Sequence, residues 1–240
     1  MPTRALPAVC LICLLGTLPN ASAHYLWVQI DTQSSKHGAA VIHFEEAPAP
    51  GDGHYLDHFT KTGKVWVRSV EQIEPKLLTA ADVRKGDQRW LATPLPFGSP
   101  RDVSMYGKFG VYRYGDTDVL LHYYARHLDV QTHDDMHELG RAEHMKLDIL
   151  PHYSGSEVEL TVLWKGEPAA ERMVYVRGPQ RFRKNSKTDE HGRVVISPTA
   201  PGKYTFRTSM EEATPGTEAG QDYALVRHNA TMIVRLPLEK

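Results

Sequence analysis

Apolar and polar residues alternate over short stretches in the first half of the chain, and clusters of Gly, Pro and Asp separate these stretches. The alternation is clearest at 24–31, 64–70 and 118–127. A period of two is typical of β-strands that bury one face. The pattern therefore predicts strands at these three places, with long irregular segments at 45–62 and 93–108.

The second half of the chain shows the same alternation at closer intervals. Apolar residues alternate over 158–164, 174–176, 194–196 and 204–206, and a last apolar stretch covers 224–236. Tight turns rich in Gly, Pro and Asp lie between them. About six short strands in a segment of this length are typical of a small β-sandwich.

These patterns predict an all-β fold with two β-sandwich domains of the immunoglobulin-like or transthyretin-like kind, joined by long loops. The boundary is expected at Leu150-Pro151. It gives an N-terminal β-domain over 24–150 and a C-terminal β-sandwich over 151–240.

One segment, 132–140, departs from the alternation. Thr132 and Asp135 have the spacing of a capping box, in which each residue satisfies a backbone N–H of the other. Gly140 supplies a stop signal. The segment is therefore predicted to form one short helix.

Composition excludes several classes of protein. The chain has 240 residues, of which 41% are hydrophobic and 24% charged, as in ordinary soluble globular proteins. Lys and Arg number 28 against 29 Asp and Glu, so the chain has no basic field that would hold nucleic acid. Nucleic acid is therefore not expected as a partner.

Residues 1–23 have the features of a cleavable secretory signal. A short positive stretch precedes an apolar run too short to span a bilayer, and Ala21-Ser22-Ala23 fits the small-x-small cleavage pattern. Both cysteines, Cys10 and Cys13, lie in this segment, so the mature chain is expected to have no disulfide. The product is expected to be periplasmic or secreted, without membrane insertion after cleavage.

Cleavage after Ala23 would make His24 the first residue of the mature chain. A free α-amine beside an imidazole is a bidentate metal chelator, and the amine titrates near neutral pH. Histidine is also unusually frequent, with 13 residues. The alternative is that His24 is simply the residue that follows the cleavage site.

A second candidate site lies on the predicted helix. His133, Met136 and His137 have i, i+3 and i+4 spacing, which places them on one helix face. Two imidazoles and a thioether suit a soft transition-metal ion such as copper. A solvated polar helix would have much the same composition.

His122 and His127 lie on or beside the strand predicted at 118–127. If the first strand pairs nearby, one of them would meet His24 and complete a copper-type arrangement of an amine and two imidazoles. The alternative is a half-buried, hydrogen-bonded histidine.

His54 and His58 also have i, i+4 spacing, in a segment whose glycines favour a loop, and Asp57 is a candidate to orient either ring. The other histidines are expected to be structural or solvated: His37, His43, His152, His191 and His228.

The order of motifs resembles the NikM-like family of secreted bacterial proteins, in a planctomycete-type branch, over nearly all of 24–238. The C-terminal part is similar to carboxypeptidase-regulatory-like, transthyretin-type sandwiches. The resemblance is carried by Ala-His-Tyr-Leu-Trp-Val at 23–28, Gly166-Glu167-Pro168, Thr188-Asp189-Glu190-His191-Gly192 and Pro201-Gly202-Lys203-Tyr204-Thr205-Phe206. It implies a periplasmic component of nickel or cobalt uptake, with His24 at the metal.

Motifs for serine hydrolysis, zinc proteolysis, phosphate loops and dinucleotide binding are missing from the sequence, so an enzyme is not expected. The sequence favours an exported protein that captures Ni, Co or Cu for a membrane transporter or a chaperone. The main alternative is a non-catalytic envelope module that binds protein or polysaccharide. A copper oxidase acting on polysaccharide is a third hypothesis, but no motif in the sequence supports it.

Overall fold

The computed structural model describes residues 24–154 and 156–238. The predicted signal segment, 1–23, lies outside the described residues together with both cysteines. The protein is mostly β, with 58% strand and 8% helix, which confirms the all-β expectation.

Up to residue 154, the described chain contains nine β-strands and two α-helices. In chain order these are β1 (Tyr25–Asp31), β2 (Ala39–Glu45), α1 (Asp57–Thr62), β3 (Lys64–Ser69), β4 (Lys76–Leu78), β5 (Ala81–Lys85), β6 (Gln88–Pro94), β7 (Arg101–Tyr114), β8 (Thr117–Asp129), α2 (His133–Leu139) and β9 (Leu147–Ser154).

The second half is built from shorter strands and one 3-10 turn (Pro179–Arg181). Its strands are β10 (Glu157–Trp164), β11 (Glu167–Pro168), β12 (Met173–Arg177), β13 (Arg183–Lys187), β14 (Arg193–Ile196), β15 (Gly202–Glu212), β16 (Gly216–Glu218), β17 (Gln221–Tyr223) and β18 (Leu225–Leu236).

A central sheet of eight strands runs through both halves of the chain, in the order β13-β12-β15-β18-β8-β7-β3-β4. A four-stranded sheet, β1-β2-β6-β5, packs on the N-terminal part of it. A second, β11-β10-β14 with β9 beside β10, packs on the C-terminal part. The halves meet where β8 and β18 pair in parallel, with Tyr123 opposite Asn229.

Strand β8 separates two hydrophobic cores because its successive side chains point to opposite faces. Leu121 and Tyr123 belong to the core under the β1-β2-β6-β5 sheet, whereas Tyr124 and Leu128 belong to the core under the β9–β10 sheet. Each core therefore covers a different face of the same central sheet.

The boundary predicted at Leu150-Pro151 falls inside β9 rather than in a linker. The chain passes from one core to the other earlier, within β8, and the two sandwiches share the central sheet. A parallel pair such as β8–β18 is buried on both faces. The passage from one core to the other therefore lies inside a largely apolar strand, and no change in composition marks it in the sequence.

The strands predicted at 24–31, 64–70 and 118–127 are present as β1, β3 and β8. The helix predicted over 132–140 is confirmed as α2, with both hydrogen bonds of the Thr132 capping box formed. Two segments expected to be irregular are not: 45–62 contains α1, and 93–108 contains most of β7. Within the described residues, no helix has the length and apolar character needed to cross a membrane.

A buried charge network ties α2 to the central sheet. Asp102 accepts hydrogen bonds from Arg68 (Nε–Oδ2, 3.3 Å) and Arg126 (Nε–Oδ1, 3.2 Å), and Arg126 also donates to Asp148 at 2.8 Å. Both guanidinium groups donate to the carbonyl of Leu139 at the end of α2. They thus satisfy backbone oxygens that a helix end leaves without partners.

Candidate functional site

A cavity of about 480 Å³ lies between the β1–β2 edge and the outer part of the β7–β8 hairpin. Aromatic side chains predominate in its lining, with a few polar groups among them. The lining residues are His24, Tyr25, Phe44, Tyr55, Phe109, Tyr112, Arg113, Tyr114, Gly115, Leu121, Tyr123, Arg227 and Asn229.

His24 stands at this cavity because of strand register. Tyr25 pairs with Glu45, the last residue of β2, so His24, which precedes Tyr25, lies beside the end of that strand. The His24 ring lies 5.7 Å from the Phe44 ring and 5.4 Å from the Tyr55 ring, edge-on to the latter. The imidazole is thus fixed between two aromatic rings, with 27% of its side chain exposed.

The polar neighbour of His24 is Glu45, whose Oε2 lies 3.8 Å from His24 Nε2. Among the residues that the structure describes, no hydrogen bond to His24 Nδ1 is formed. An imidazole that faces a carboxylate on one nitrogen and has the other nitrogen free is arranged as metal-binding histidines are.

Glu45 is held by the loop that follows β2. A Cβ atom at Gly51 would lie 2.0 Å from the carboxylate Oε1, so this position has no room for a side chain. Burial raises the pKa of Glu45, although a hydrogen bond from the Gly53 backbone and the proximity of His24 lower it. Spacing along the sequence does not single out Glu45, because only the β1–β2 register shows that it faces His24.

The segment 54–58 also reaches this region. His54 lies edge-on to Tyr55 at 4.6 Å, and His58 stacks on Phe109 at 3.8 Å. The loop expected here is partly helical, since α1 begins at Asp57. Asp57 does not orient either ring: its carboxylate binds Arg89 at 2.5 Å.

Two polar side chains form the floor of the cavity. Tyr123 is 4% exposed and Asn229 is 7% exposed, and both line the cavity from paired positions on β8 and β18. Neither side chain makes a hydrogen bond with any described residue. Burial, the largest cause, raises the pKa of Tyr123, and the nearby hydroxyls of Tyr114 and Tyr25 raise it further.

The rim of the cavity carries exposed aromatic residues and paired charges. Tyr112 and Tyr114 are 39% and 42% exposed, and their rings meet edge-to-face at 4.9 Å. The Arg227 guanidinium lies 4.8 Å from the centre of the Tyr114 ring and pairs with Glu211 at 2.6 Å.

His122 does not reach His24. It points to the opposite face of β8, where its Nδ1 lies 2.8 Å from the Tyr106 hydroxyl and its ring stacks on His228 at 5.0 Å. The alternation of side chains along β8 separates the two histidines. The predicted arrangement of an amine and two imidazoles is therefore wrong for this pair.

His127 has a structural contact instead of a free ring. The backbone N–H of Ile30 in β1 donates to His127 Nδ1 at 3.1 Å, so this imidazole links β8 to the sheet above it. This geometry agrees with the alternative of a hydrogen-bonded histidine and not with a metal ligand shared with His24.

The three candidates on α2 do not converge. Met136 is buried in the core at 1% exposure, His137 is exposed to solvent, and His133 lies 4.3 Å from the Tyr153 ring. On this helix of seven residues, the i+3 residue, Met136, faces the core and the i+4 residue, His137, faces solvent. The predicted common site on this helix is therefore not formed.

Across residues 24–154 and 156–238, no group of three or more His, Cys, Asp or Glu side chains is placed to hold an ion. Of the six predicted ligands, His24 alone lines the aromatic cavity. Any ion bound there would need donors other than these side chains, such as the α-amine of a mature chain or water.

Buried and half-buried histidines predict acid sensitivity. Burial, the largest cause, lowers the pKa of His127 to about 3 and the pKa of His43, His122 and His228 to about 4. As pH falls below about 6.5, the unfolded chain binds protons that the folded chain does not, so each such histidine costs up to about 1.4 kcal/mol of stability per pH unit.

The midpoint temperature of thermal unfolding, measured by circular dichroism, is therefore expected to be lower at pH 4.5 than at pH 7. His43→Leu should reduce this pH dependence, because it removes one of these titrating imidazoles. The substitution breaks no hydrogen bond at the buried Nδ1, since no described residue bonds this atom. An unfolding midpoint that is the same at both pH values would contradict the assignment of neutral buried imidazoles.

No protein-family model matches the sequence, and no curated protein matches it either. The NikM-like resemblance therefore stays a prediction from the residues. Among solved structures, the FN1-FN3 domains of chicken CNTN1 are 10% identical, with 88% of this chain and 66% of that chain covered at a TM-score of 0.21.

A biofilm-associated protein BSP domain is 8% identical over 85% of this chain and 27% of that chain, with a TM-score of 0.21. A pullulanase from Anoxybacillus sp. LM18-11 is 11% identical over 85% of this chain and 27% of that chain, with a TM-score of 0.19. The chain spans less than two thirds of each of these proteins. At such TM-scores they carry no argument about function.

Proposed function

We propose that the protein is exported and captures one divalent transition-metal ion, Ni²⁺, Co²⁺ or Cu²⁺, at His24. It would deliver the ion to a membrane transporter or a chaperone as a binding protein and not as an enzyme. The observation that carries the proposal is the setting of His24: its ring is fixed at a cavity rim, its Nδ1 has no hydrogen bond to a described residue, and Glu45 faces its Nε2.

Cleavage after Ala23 would supply the second donor. The α-amine and Nδ1 of an N-terminal histidine belong to one residue and close a chelate ring on the same ion. Glu45 lies on the Nε2 side of the ring, where a carboxylate favours the tautomer that leaves Nδ1 free and makes the imidazole a stronger ligand.

The number of donors fits a cargo ion better than a resident one. Structural metal sites are closed by four protein ligands, whereas a site with fewer ligands keeps positions for water or an incoming group. Two nitrogens from His24 leave several positions open. An ion held in this way remains accessible for transfer.

Replacing His24 by Ala is expected to weaken binding of the preferred ion by at least about tenfold, because the imidazole is lost. Glu45→Gln should weaken it by about tenfold through loss of the charge behind Nε2. Isothermal titration of the exported, untagged chain measures both effects. His191→Ala removes an exposed histidine in a turn and serves as the matched control.

If His24→Ala and the control give the same isotherm, His24 is not a ligand and the proposal fails. If Glu45→Gln alone has no effect, the orienting role of Glu45 is wrong.

A further inference from the structure

We infer that the aromatic cavity beside His24 is a binding site for a neutral saccharide of one or two sugar rings. This goes beyond metal capture, because the groups that carry it are the cavity walls and floor and not His24. Its volume of about 480 Å³ lies within the range of small-molecule sites.

The walls of the cavity are largely aromatic. Phe44, Tyr55 and Phe109 form one side, and the exposed rings of Tyr112 and Tyr114 extend it to the rim. A pyranose ring presents a flat face of C–H groups that packs on an aromatic ring, while its hydroxyls project around the edge. Exposed tyrosines at the mouth of a cavity suit such a partner, because each has an apolar face and a polar end.

The floor offers groups that both donate and accept hydrogen bonds. As whole residues, Tyr123 and Asn229 are more than nine-tenths buried; both line the cavity, and neither side chain has a hydrogen-bond partner among the described residues. Buried polar groups in folded proteins almost always have partners. Because a hydroxyl is both donor and acceptor, sugar hydroxyls satisfy a phenol and a carboxamide side by side.

The charges at the cavity favour a neutral ligand. Arg227 is paired with Glu211 at 2.6 Å, and Arg113 is paired with Asp118 at 2.8 Å. Each guanidinium charge is thus compensated within the protein, while N–H groups remain for oxygen acceptors. An anionic ligand would compete with these carboxylates, whereas a sugar hydroxyl would not.

Saturation-transfer NMR on the exported chain in EDTA tests the site without metal. The probes are glucose, galactose, mannose, N-acetylglucosamine, maltose, cellobiose and lactose, with 4-hydroxybenzoate as an anionic aromatic probe. At least one sugar is expected to bind with a Kd between about 10 μM and 10 mM. If no sugar binds, or if 4-hydroxybenzoate alone binds, the inference is overturned.

Variants locate the binding. Asn229→Ala and Tyr112→Ala should each lower the affinity for the sugar by at least about fivefold. The matched controls Asn185→Ala on β13 and Tyr175→Ala on β12 remove the same kinds of side chain and should leave sugar binding unchanged. Equal effects in the variants and the controls would place the sugar elsewhere and overturn the assignment of this cavity.

Asn229→Asp provides a second measurement if Asn229→Ala does not fold. It retains the size of the side chain but removes the donor, so it should also weaken sugar binding. Because sugar binding is measured in EDTA and metal binding without sugar, the loss of one with the other retained separates failure of this site from failure of the metal proposal.

Discussion

Replacing Asp102 by Ala is expected to destabilise the protein by about 3–5 kcal/mol, because it removes one member of a buried charge network and leaves the others. Asp102 is fully buried and accepts from both Arg68 and Arg126. Without it, Arg68 would lack a carboxylate, and Arg126 would retain only Asp148. Urea unfolding followed by circular dichroism measures the loss.

Asp116→Ala is the matched control, since Asp116 is exposed in the β7–β8 turn. Its effect is expected to stay within about 0.5 kcal/mol. If Asp102→Ala costs no more than this control, the network does not anchor α2 to the sheet. A loss confined to the α2 signals in hydrogen exchange would show a local rather than a global role.

The second large effect concerns the α-amine of His24. A chain that begins at Pro19 retains the His24 imidazole but converts its amine into a peptide nitrogen, which is a far weaker donor at neutral pH, and its own free amine lies five residues before His24. Affinity for the preferred divalent ion is expected to fall by about 100-fold, or about 2.7 kcal/mol, relative to a chain that begins at His24. Parallel isothermal titrations of the two chains measure the difference.

Both chains contain the same imidazole and the same Glu45, so the comparison isolates the amine. Equal affinities would mean that the ion is bound without the amine, and the proposed chelate would be wrong. Circular dichroism of the two chains verifies that the added residues leave the fold unchanged.

Local sequence patterns predicted the local structure well. The alternation at 118–127 predicts β8, and the Thr132–Asp135 spacing predicts the capped helix α2. Both features depend on residues within one turn or one strand, where hydrophobic period and capping chemistry act directly. The same patterns missed α1, because the glycines that precede Asp57 favour a loop.

Long-range features were not predictable in this way. The parallel pairing of β8 with β18 joins residues about a hundred positions apart, and it determines that Asn229 lies beside Tyr123. Glu45 faces His24 only through the β1–β2 register. Spacing along the chain therefore identified His24 but neither the carboxylate beside it nor the floor of the cavity.

The histidine clusters show why spacing alone is a weak guide to a site. His133, Met136 and His137 have suitable helical spacing, yet burial divides them between core and solvent. His122 lies on the face of β8 away from His24, and His127 bonds to the Ile30 backbone. Which face of an element is buried depends on the packing of distant elements, which one chain segment does not encode.

Metal titration of the exported, untagged chain tests whether His24 and its α-amine capture an ion. Intact mass first determines the N-terminus, and titration with Ni²⁺, Co²⁺ and Cu²⁺ follows on the same sample. We expect a chain that begins at His24 and binds one ion with a Kd below about 10 μM. A chain that begins elsewhere, or one that binds none of the three ions at that strength, would contradict it.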